Sequence, residues 1–453
     1  MKKPFILIIS LIVSLNVSLA QHQKTSGYKG IWFALGQRTE YGDKYSGGLG
    51  TYTSSHIPIA IYAKAVNKTF FVYGGTTSKD EKHLLIMISY FDHNKSVVPK
   101  PVIVYDKKDV DDPHDNASVS LDEKGHIWVF VSGRNTTRPG LIFKSRQPYD
   151  INDFEKISEG EMTYPQPWWM KNGFLYLFTK YTKGRELYFS TSADGKEWKE
   201  GQKIAGMGGH YQLSNIHNGK LTTVFNYHPG GDVNKRTNVY VLQTADNGRT
   251  WTNIKGEAMH TPLTDPRTTA LLRDYQSEGK LVYLNDINFD AAGNPVILAV
   301  ISGNHEPGPK ADPRVWTIIH WRNGRWNFHD VCRSTHNYDM GSLYIEKNLW
   351  QIVGPTEPGP QKWGTGGEMA LWVSGDEGRN WKKKSQLTSK SMFNHSYGRR
   401  PLNAHSEFYS FWADGDADKF SESRLYFCNK DGTKVWMLPY EMEKELQRPI
   451  RIK

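Results

Sequence analysis

Only two cysteines, Cys332 and Cys428, occur in the 453 residues, so at most one disulfide can form and a disulfide-stapled scaffold is excluded. No apolar run beyond residue 20 reaches the ~18 residues a membrane-spanning helix needs. No long stretch carries the three-to-four-residue apolar period of an amphipathic helix. No block of consecutive lysine and arginine points to nucleic acid. No acidic pair stands out of the kind that retaining and inverting glycosidases place across the scissile bond.

The first twenty residues, with Lys2 and Lys3 ahead of an apolar run that ends in Ser-Leu-Ala, have the pattern of a secretory signal peptide. The expected organisation is residues 1–20 as leader and residues 21–453 as one domain, periplasmic or secreted, without membrane insertion. The formal charge is +10, or +8 once the two leader lysines leave. That modest excess favours an anionic partner. For an exported chain, an acidic oligosaccharide or polysaccharide is the expected one, and nucleic acid is not. Aromatic residues make up 13% of the chain, with 15 Trp and 24 Tyr. Such residues suit pleated, half-buried surfaces, and their faces also pack on pyranose rings.

In place of helices the chain carries short apolar or alternating runs, such as 57–62, 69–73, 83–90, 126–131, 174–179, 221–226, 295–301 and 349–353, separated by Gly, Asn and Asp clusters. This is the signature of an all-β fold. A repeat lies beneath it. Thr244-Ala-Asp246-Asn-Gly248-Arg-Thr-Trp251 and Ser374-Gly-Asp376-Glu-Gly378-Arg-Asn-Trp381 share Ser/Thr-x-Asp-x-Gly-x-x-Trp, and Ser192-Ala-Asp194-Gly195-Lys-Glu-Trp198 is one residue shorter. Asp and Gly make the turn and Trp enters the next strand. At about 60 residues per four-stranded blade, the spacing predicts a single seven-bladed β-propeller. A monomer is the expected state.

The stretch 111–139 concentrates chemistry. Asp112-Pro113-His114-Asp115-Asn116 sets a histidine between acids before a strand, and Arg134 and Arg138 follow the next strand. His114 can serve as base or acid because imidazole titrates near working pH, and arginine can hold a carboxylate or sulfate with two parallel bonds. The structural alternatives are a turn histidine bonded to backbone and solvated loop charges. His210-Tyr211 and Tyr227-His228 form a second pair, sixteen residues apart from tyrosine to tyrosine, with packing as the alternative. His56, at a strand start behind the glycine-rich 46–50 segment, is a further candidate. Asn116, His210, Arg399 and Arg400 are candidates for substrate contact; the last two belong to the polar run 394–405, whose alternative use is a blade-to-blade hydrogen-bond network. No cofactor is expected to be required. Structural zinc or calcium stays open, with His228, Cys332 and His336 as N and S donors for zinc and a buried free cysteine as the plainer use of Cys332.

Gly27-Tyr28-Lys29-Gly30-Ile31-Trp32, Tyr45-Ser46-Gly47-Gly48-Leu49-Gly50-Thr51-Tyr52, the 112–116 motif, Gly354-Pro355-Thr356-Glu357-Pro358-Gly359-Pro360 and the 394–401 run together resemble the BNR-repeat propeller family over nearly the whole mature chain. Within it they are similar to the seven-bladed ulvan lyases and to enzymes acting on rhamnose-α-1,4-glucuronate, both lyases and an α-L-rhamnosidase. The resemblance implies catalysis by two histidines, a tyrosine and an arginine. His114 matches the first histidine, Arg134 stands where the second is found, Tyr211 matches the tyrosine, and Tyr227 stands in the place of the arginine. The rhamnosidase relies on one N-terminal histidine on the opposite propeller face, for which His56 is the nearest candidate here.

Eliminating a 4-O substituent from a uronate requires a base for the C5 proton, an acid for the leaving oxygen and cations for the developing charge. The residues favour β-elimination at a uronate, and the resemblance implies a glucuronate or iduronate linked to rhamnose, with loss of a sugar or of water. An exo-α-L-rhamnosidase and a non-catalytic glycan-binding propeller are the alternatives.

Overall fold

Strand formation follows from how completely the apolar runs are buried. Ile127–Val131 reads IWVFV and all five residues are buried, as is every residue of Thr237–Thr244. Runs hydrophobic on both faces fit strands sandwiched between neighbouring sheets. The computed structural model describes residues 22–49, 56–78 and 83–453. The leader and Gly50, Thr51, Tyr52 and Ser55 of the glycine-rich motif lie outside the described residues. Among the described residues the only helical pieces are three-residue 3-10 turns, and no helix is long and apolar enough to cross a membrane.

The chain is an all-β propeller. Six blades are each built from one contiguous segment as antiparallel sheets: blade I (117–160), II (163–205), III (212–273), IV (281–334), V (342–386) and VI (394–451). Two short two-stranded pairings and one composite sheet remain, so six blades stand where the spacing predicted seven. The composite sheet closes the ring. It takes Lys68–Gly75 and Leu85–Asp92 from the middle of the N-terminal segment, Gly30–Ala34 from its start, and Ser421–Ser423 from blade VI. Closing a ring requires the two chain ends to pair, and they do. Gly30 lies opposite Ser423, the Tyr28 N–H donates to the Pro439 carbonyl at 2.9 Å, and Leu446 pairs with Pro99.

The repeated turns work as the sequence implied. In blade V the Ser374 hydroxyl donates to Asp376 at 2.7 Å and accepts from the Gly378 N–H at 3.0 Å, while Asp376 accepts from the Asn380 N–H at 2.9 Å. Gly378 has φ +78, and a Cβ there would come within 2.7 Å of the Trp350 ring. A positive φ and an aromatic wall both require glycine. Cores lie between adjacent blades, for instance Trp128, Phe130, Phe174 and Tyr176 between I and II. Cys332 and Cys428 are both free thiols.

First strands of successive sheets pack against one another and form the inner wall. In an antiparallel meander the first and third strands run the same way, so their starting residues share one face. In five of the six blades an arginine stands at, or one or two residues before, the start of the third strand: Arg138, Arg185, Arg236, Arg314 and Arg424. The same end of the first strands of blades I to V carries His114, Tyr164, Tyr211, Tyr283 and Tyr338.

Candidate active site

Pro113 opens a 3-10 turn over Pro113–Asp115, and Asp112 caps it by accepting the His114 N–H, as acidic caps and a proline at the first helical position favour. The same Asp112 oxygen accepts from His114 Nδ1. Asp112 and Asp115 are joined by Arg138, whose Nη2 donates to them at 2.7 and 2.8 Å. Asp115 also receives Lys107 Nζ at 2.5 Å. Burial works to raise Asp112, yet His114 and Arg134 together hold its carboxyl well below the usual carboxylate range. Burial pushes His114 down to about 4, against the pull of Asp112. The imidazole is therefore neutral at neutral pH, with its proton on Nδ1 and its lone pair on Nε2.

Around this turn the inner wall forms a belt of phenols and guanidinium groups. The His114 ring lies 5.8 Å from Tyr164, and Tyr164 lies 5.8 Å from Tyr211. Arg185 Nη1 donates to both tyrosine hydroxyls at 2.6 Å, and its Nε donates to the Tyr181 hydroxyl at 2.7 Å. Three phenols thus converge on one guanidinium. Arg236 continues the belt, 4.9, 4.5 and 5.2 Å from the ring centres of Tyr211, Tyr283 and Tyr338. Arg134 reaches the edge of the cluster, 3.9 Å from Asp112 and 5.8 Å above the Tyr181 ring. Preorganised cations among phenols, shielded from bulk water, suit the stabilisation of charge that develops on an acidic substrate.

The structure brings together His114, Tyr211, Arg134 and His56. His56 Nε2 contacts the His114 carbonyl at 3.2 Å and its ring lies 5.5 Å from Tyr164. Burial, with Arg399 beside it, pushes His56 down to about 3. Arg399 donates to the His56 carbonyl and so supports the cluster from behind.

Other expected residues sit elsewhere or serve the scaffold. Tyr227 is the last residue of its strand and packs on the apolar core between blades II and III, because neighbouring residues in a strand point to opposite faces and Asn226 takes the inner one, accepting the Tyr211 N–H at 2.9 Å. Both His210 ring nitrogens are occupied, Nδ1 with the Asn226 carbonyl at 2.8 Å and Nε2 with the Met207 N–H at 3.3 Å. Asn116 donates to the Gly48 and Pro113 carbonyls, at 3.3 and 3.1 Å. Arg400 makes a two-pronged pair with Asp286, 3.0 Å on each prong, and joins blades. Among the described residues no group of three or more His, Cys, Asp or Glu is placed to hold a metal, so His228, Cys332 and His336 are not assembled as a zinc site. His228 instead lies 4.7 Å from the Tyr211 ring, where burial and the neighbouring Arg236 keep it neutral and two guanidinium groups disfavour a metal cation.

Arg185, Arg236, Tyr164 and Asp112 were not singled out from the sequence as site residues. The signal for the arginines was present as a repeat: each heads the third strand of its blade.

Residues 71–334, more than half of the chain, match the BNR repeat-containing family. The chain belongs to that family. This BNR-repeat protein is 22% identical over 369 residues to an ulvan lyase of Alteromonas sp. (strain LOR), a match that covers 71% of this chain and 73% of that protein. It is 24% identical over 257 residues to the ulvan lyase PL25 of Pseudoalteromonas sp. (strain PLSV), covering 48% of this chain and about half, 51%, of that relative. Among solved structures, the PL25 ulvan lyase superposes with a TM-score of 0.70 at 15% identity, over 90% of this chain and 96% of the other. A structure of that lyase bound to -[GlcA(1-4)Rha3S]- matches equally well. At this identity the likeness establishes a shared fold.

Proposed function

We propose that this BNR-repeat protein is a polysaccharide lyase, exported from the cell, that cleaves an anionic glycan by β-elimination at a uronate linked to rhamnose. The observation that carries this reading is the pairing of a neutral His114, oriented by Asp112, with phenols held on Arg185. The two nearest carboxylates weigh against a hydrolase: Asp112 is engaged by His114 and Arg138, and Asp115 by Lys107 and Arg138. Neither is left to act as the acid or nucleophile that a glycosidase requires. The ulvan lyase relatives support the same reaction class.

In the proposed step the uronate carboxylate sits against Arg185, with Arg134 and Arg236 adding positive potential. His114 Nε2 takes the C5 proton, the C5–H electron pair forms the C4=C5 double bond, and the C4–O4 bond breaks. Tyr211 gives its phenolic proton to the departing O4. The products are a 4,5-unsaturated uronate and a sugar with a free anomeric hydroxyl; a terminal uronate with a free 4-hydroxyl would lose water by the same route.

Incubation with ulvan oligosaccharides and with rhamnose-α-1,4-glucuronate glycans tests this directly. Elimination gives an ultraviolet-absorbing unsaturated uronate. Release of free rhamnose without that absorbance, or no product at all, would replace the lyase reading with a hydrolase or a binding module. Elimination that persists unchanged in both His114→Ala and Tyr211→Phe would refute the assigned roles.

A further inference from the structure

Away from the inner wall, a groove of about 520 Å3 opens between the outer edges of blades III and IV, with Trp321, Trp326, Phe328, Arg273 and Lys255 among its walls. The hairpin that builds it has Asn323 and Gly324 at its tip, both with positive φ, +54 and +72. That two-residue turn matches strand twist and fixes register. Trp321 is thereby set opposite Trp326, and Ile319 opposite Phe328. Residues two apart share a face, so these four side chains form one row. Its inner end, Ile319 and Phe328, packs in the core between blades III and IV. At its outer end Trp326 still packs against that core and Trp321 stands opposite it, both half-buried, with rings 5.2 Å apart at 60°.

The groove is also basic. Arg273 lies 4.5 Å from the Phe328 ring centre while paired with Glu278 at 2.7 and 2.9 Å. Lys255 and Arg325 are exposed at the rim. Half-buried aromatic walls with a cationic rim offer apolar faces for pyranose rings and partners for carboxylate or sulfate groups.

We propose that this groove is a second, non-catalytic glycan site that holds a distant stretch of the same anionic polysaccharide whose cleavage the inner wall performs. The choice of ligand rests on the lyase reading; the groove itself does not. Its role is to raise the local concentration of polymer at the site, an effect absent for substrates too short to reach both places.

The test is affinity electrophoresis of the full chain carrying His114→Ala, which leaves the polymer intact, through gels containing ulvan or neutral dextran. Two double variants are compared: Trp321→Ala with Trp326→Ala, and Lys255→Glu with Arg325→Glu. The second changes only exposed side chains and decides the matter if the first does not fold. Lys382→Glu with Lys384→Glu, the same charge change on exposed residues of blade V, is the control. Retardation by ulvan should weaken about tenfold in the groove variants but not in the control, with mobility in dextran equal across all of them. In chains with native His114, turnover of a tetrasaccharide should stay within about twofold. Equal retardation of the Lys255/Arg325 variant and the control, or no retardation of the parent, overturns the proposal. Groove-dependent retardation without elimination by the native chain would sink the lyase reading alone, whereas elimination with groove-independent retardation would sink this one alone.

Discussion

Asp112 Oδ1 accepts two hydrogen bonds from one residue, the backbone N–H of His114 at 3.0 Å and its Nδ1–H. The first fixes the turn and the second fixes the tautomer. A carboxylate that holds an imidazole this way leaves the opposite nitrogen as the basic one. Asp112→Asn is therefore expected to lower kcat for elimination by roughly 10²–10⁴-fold, the usual worth of a positioned base, with a smaller effect on KM. Steady-state kinetics on a defined oligosaccharide would check it; a change below about twofold would remove Asp112 from the mechanism.

The pH profile should show where His114 titrates. Burial holds its imidazole down to about 4 instead of the ordinary 6.5. A base works only when unprotonated, so kcat/KM should hold steady as pH falls through 6 and 5 and drop only on approach to about 4. An acid limb near 6.5 would mean that another group, or a more hydrated His114, is the base.

Arg185→Lys keeps the charge but not the fork that reaches three phenols. Elimination should fall by about 10²-fold, the scale seen when one preorganised charge-stabilising donor is lost. Native-like thermal unfolding should accompany the loss. Retained kcat in this variant would argue that Arg185 only packs against the tyrosines.

Buried neutral histidines should make the fold sensitive to acid. Burial depresses His56 and His336 to about 3 and His210 to about 4. In the unfolded chain each regains a value near 6.5, so between about 6.5 and 4 the unfolded state binds more protons and stability falls as pH falls. Above about 6.5 this contribution is fully present. Each such group adds a slope of up to about 1.4 kcal/mol per pH unit within its window. Denaturant midpoints measured from pH 7 down to pH 4.5 should decline steadily, and a flat curve would contradict the buried, neutral assignment.

Asp286 is the partner of Arg400 across two blades, and it also accepts the Leu343 N–H at 2.9 Å. Removing it strands a mostly buried guanidinium, its side chain 16% exposed, so Asp286→Ala should cost about 2–4 kcal/mol of stability, below the range of a fully buried pair. Replacing both partners should cost less than the single change. Urea unfolding of the single and double variants would show it.

Much of the architecture was legible in the chain because strands and their turns are local. Thr244–Trp251 and Ser374–Trp381 carry their own turn chemistry, so they mark blade edges wherever they occur. Ring closure was not legible, since Gly30 meets Ser423 only when the ends of the chain come together. The sheet that closes the ring is composite for that reason, and even spacing along the sequence, which predicted seven blades where six are formed, does not reveal it.

The site divides the same way. His114 was identifiable because Asp112, Pro113 and Asp115 surround it in sequence, and a cap and an ion pair two residues apart are local matters. A match by spacing is blind to the alternation that turns Tyr227 and its neighbour Asn226 to opposite faces of their strand. Arg185 and Tyr164, twenty-one residues apart, and Tyr211, another twenty-six on, meet only through strand direction: every odd strand of the meander starts on one face, and the ring brings those starts together. The sequence by itself determined that this would be a β-propeller with a histidine held between acids. Only the tertiary structure decided which cations and phenols face that histidine, because burial and blade-to-blade register, not proximity along the chain, place them there.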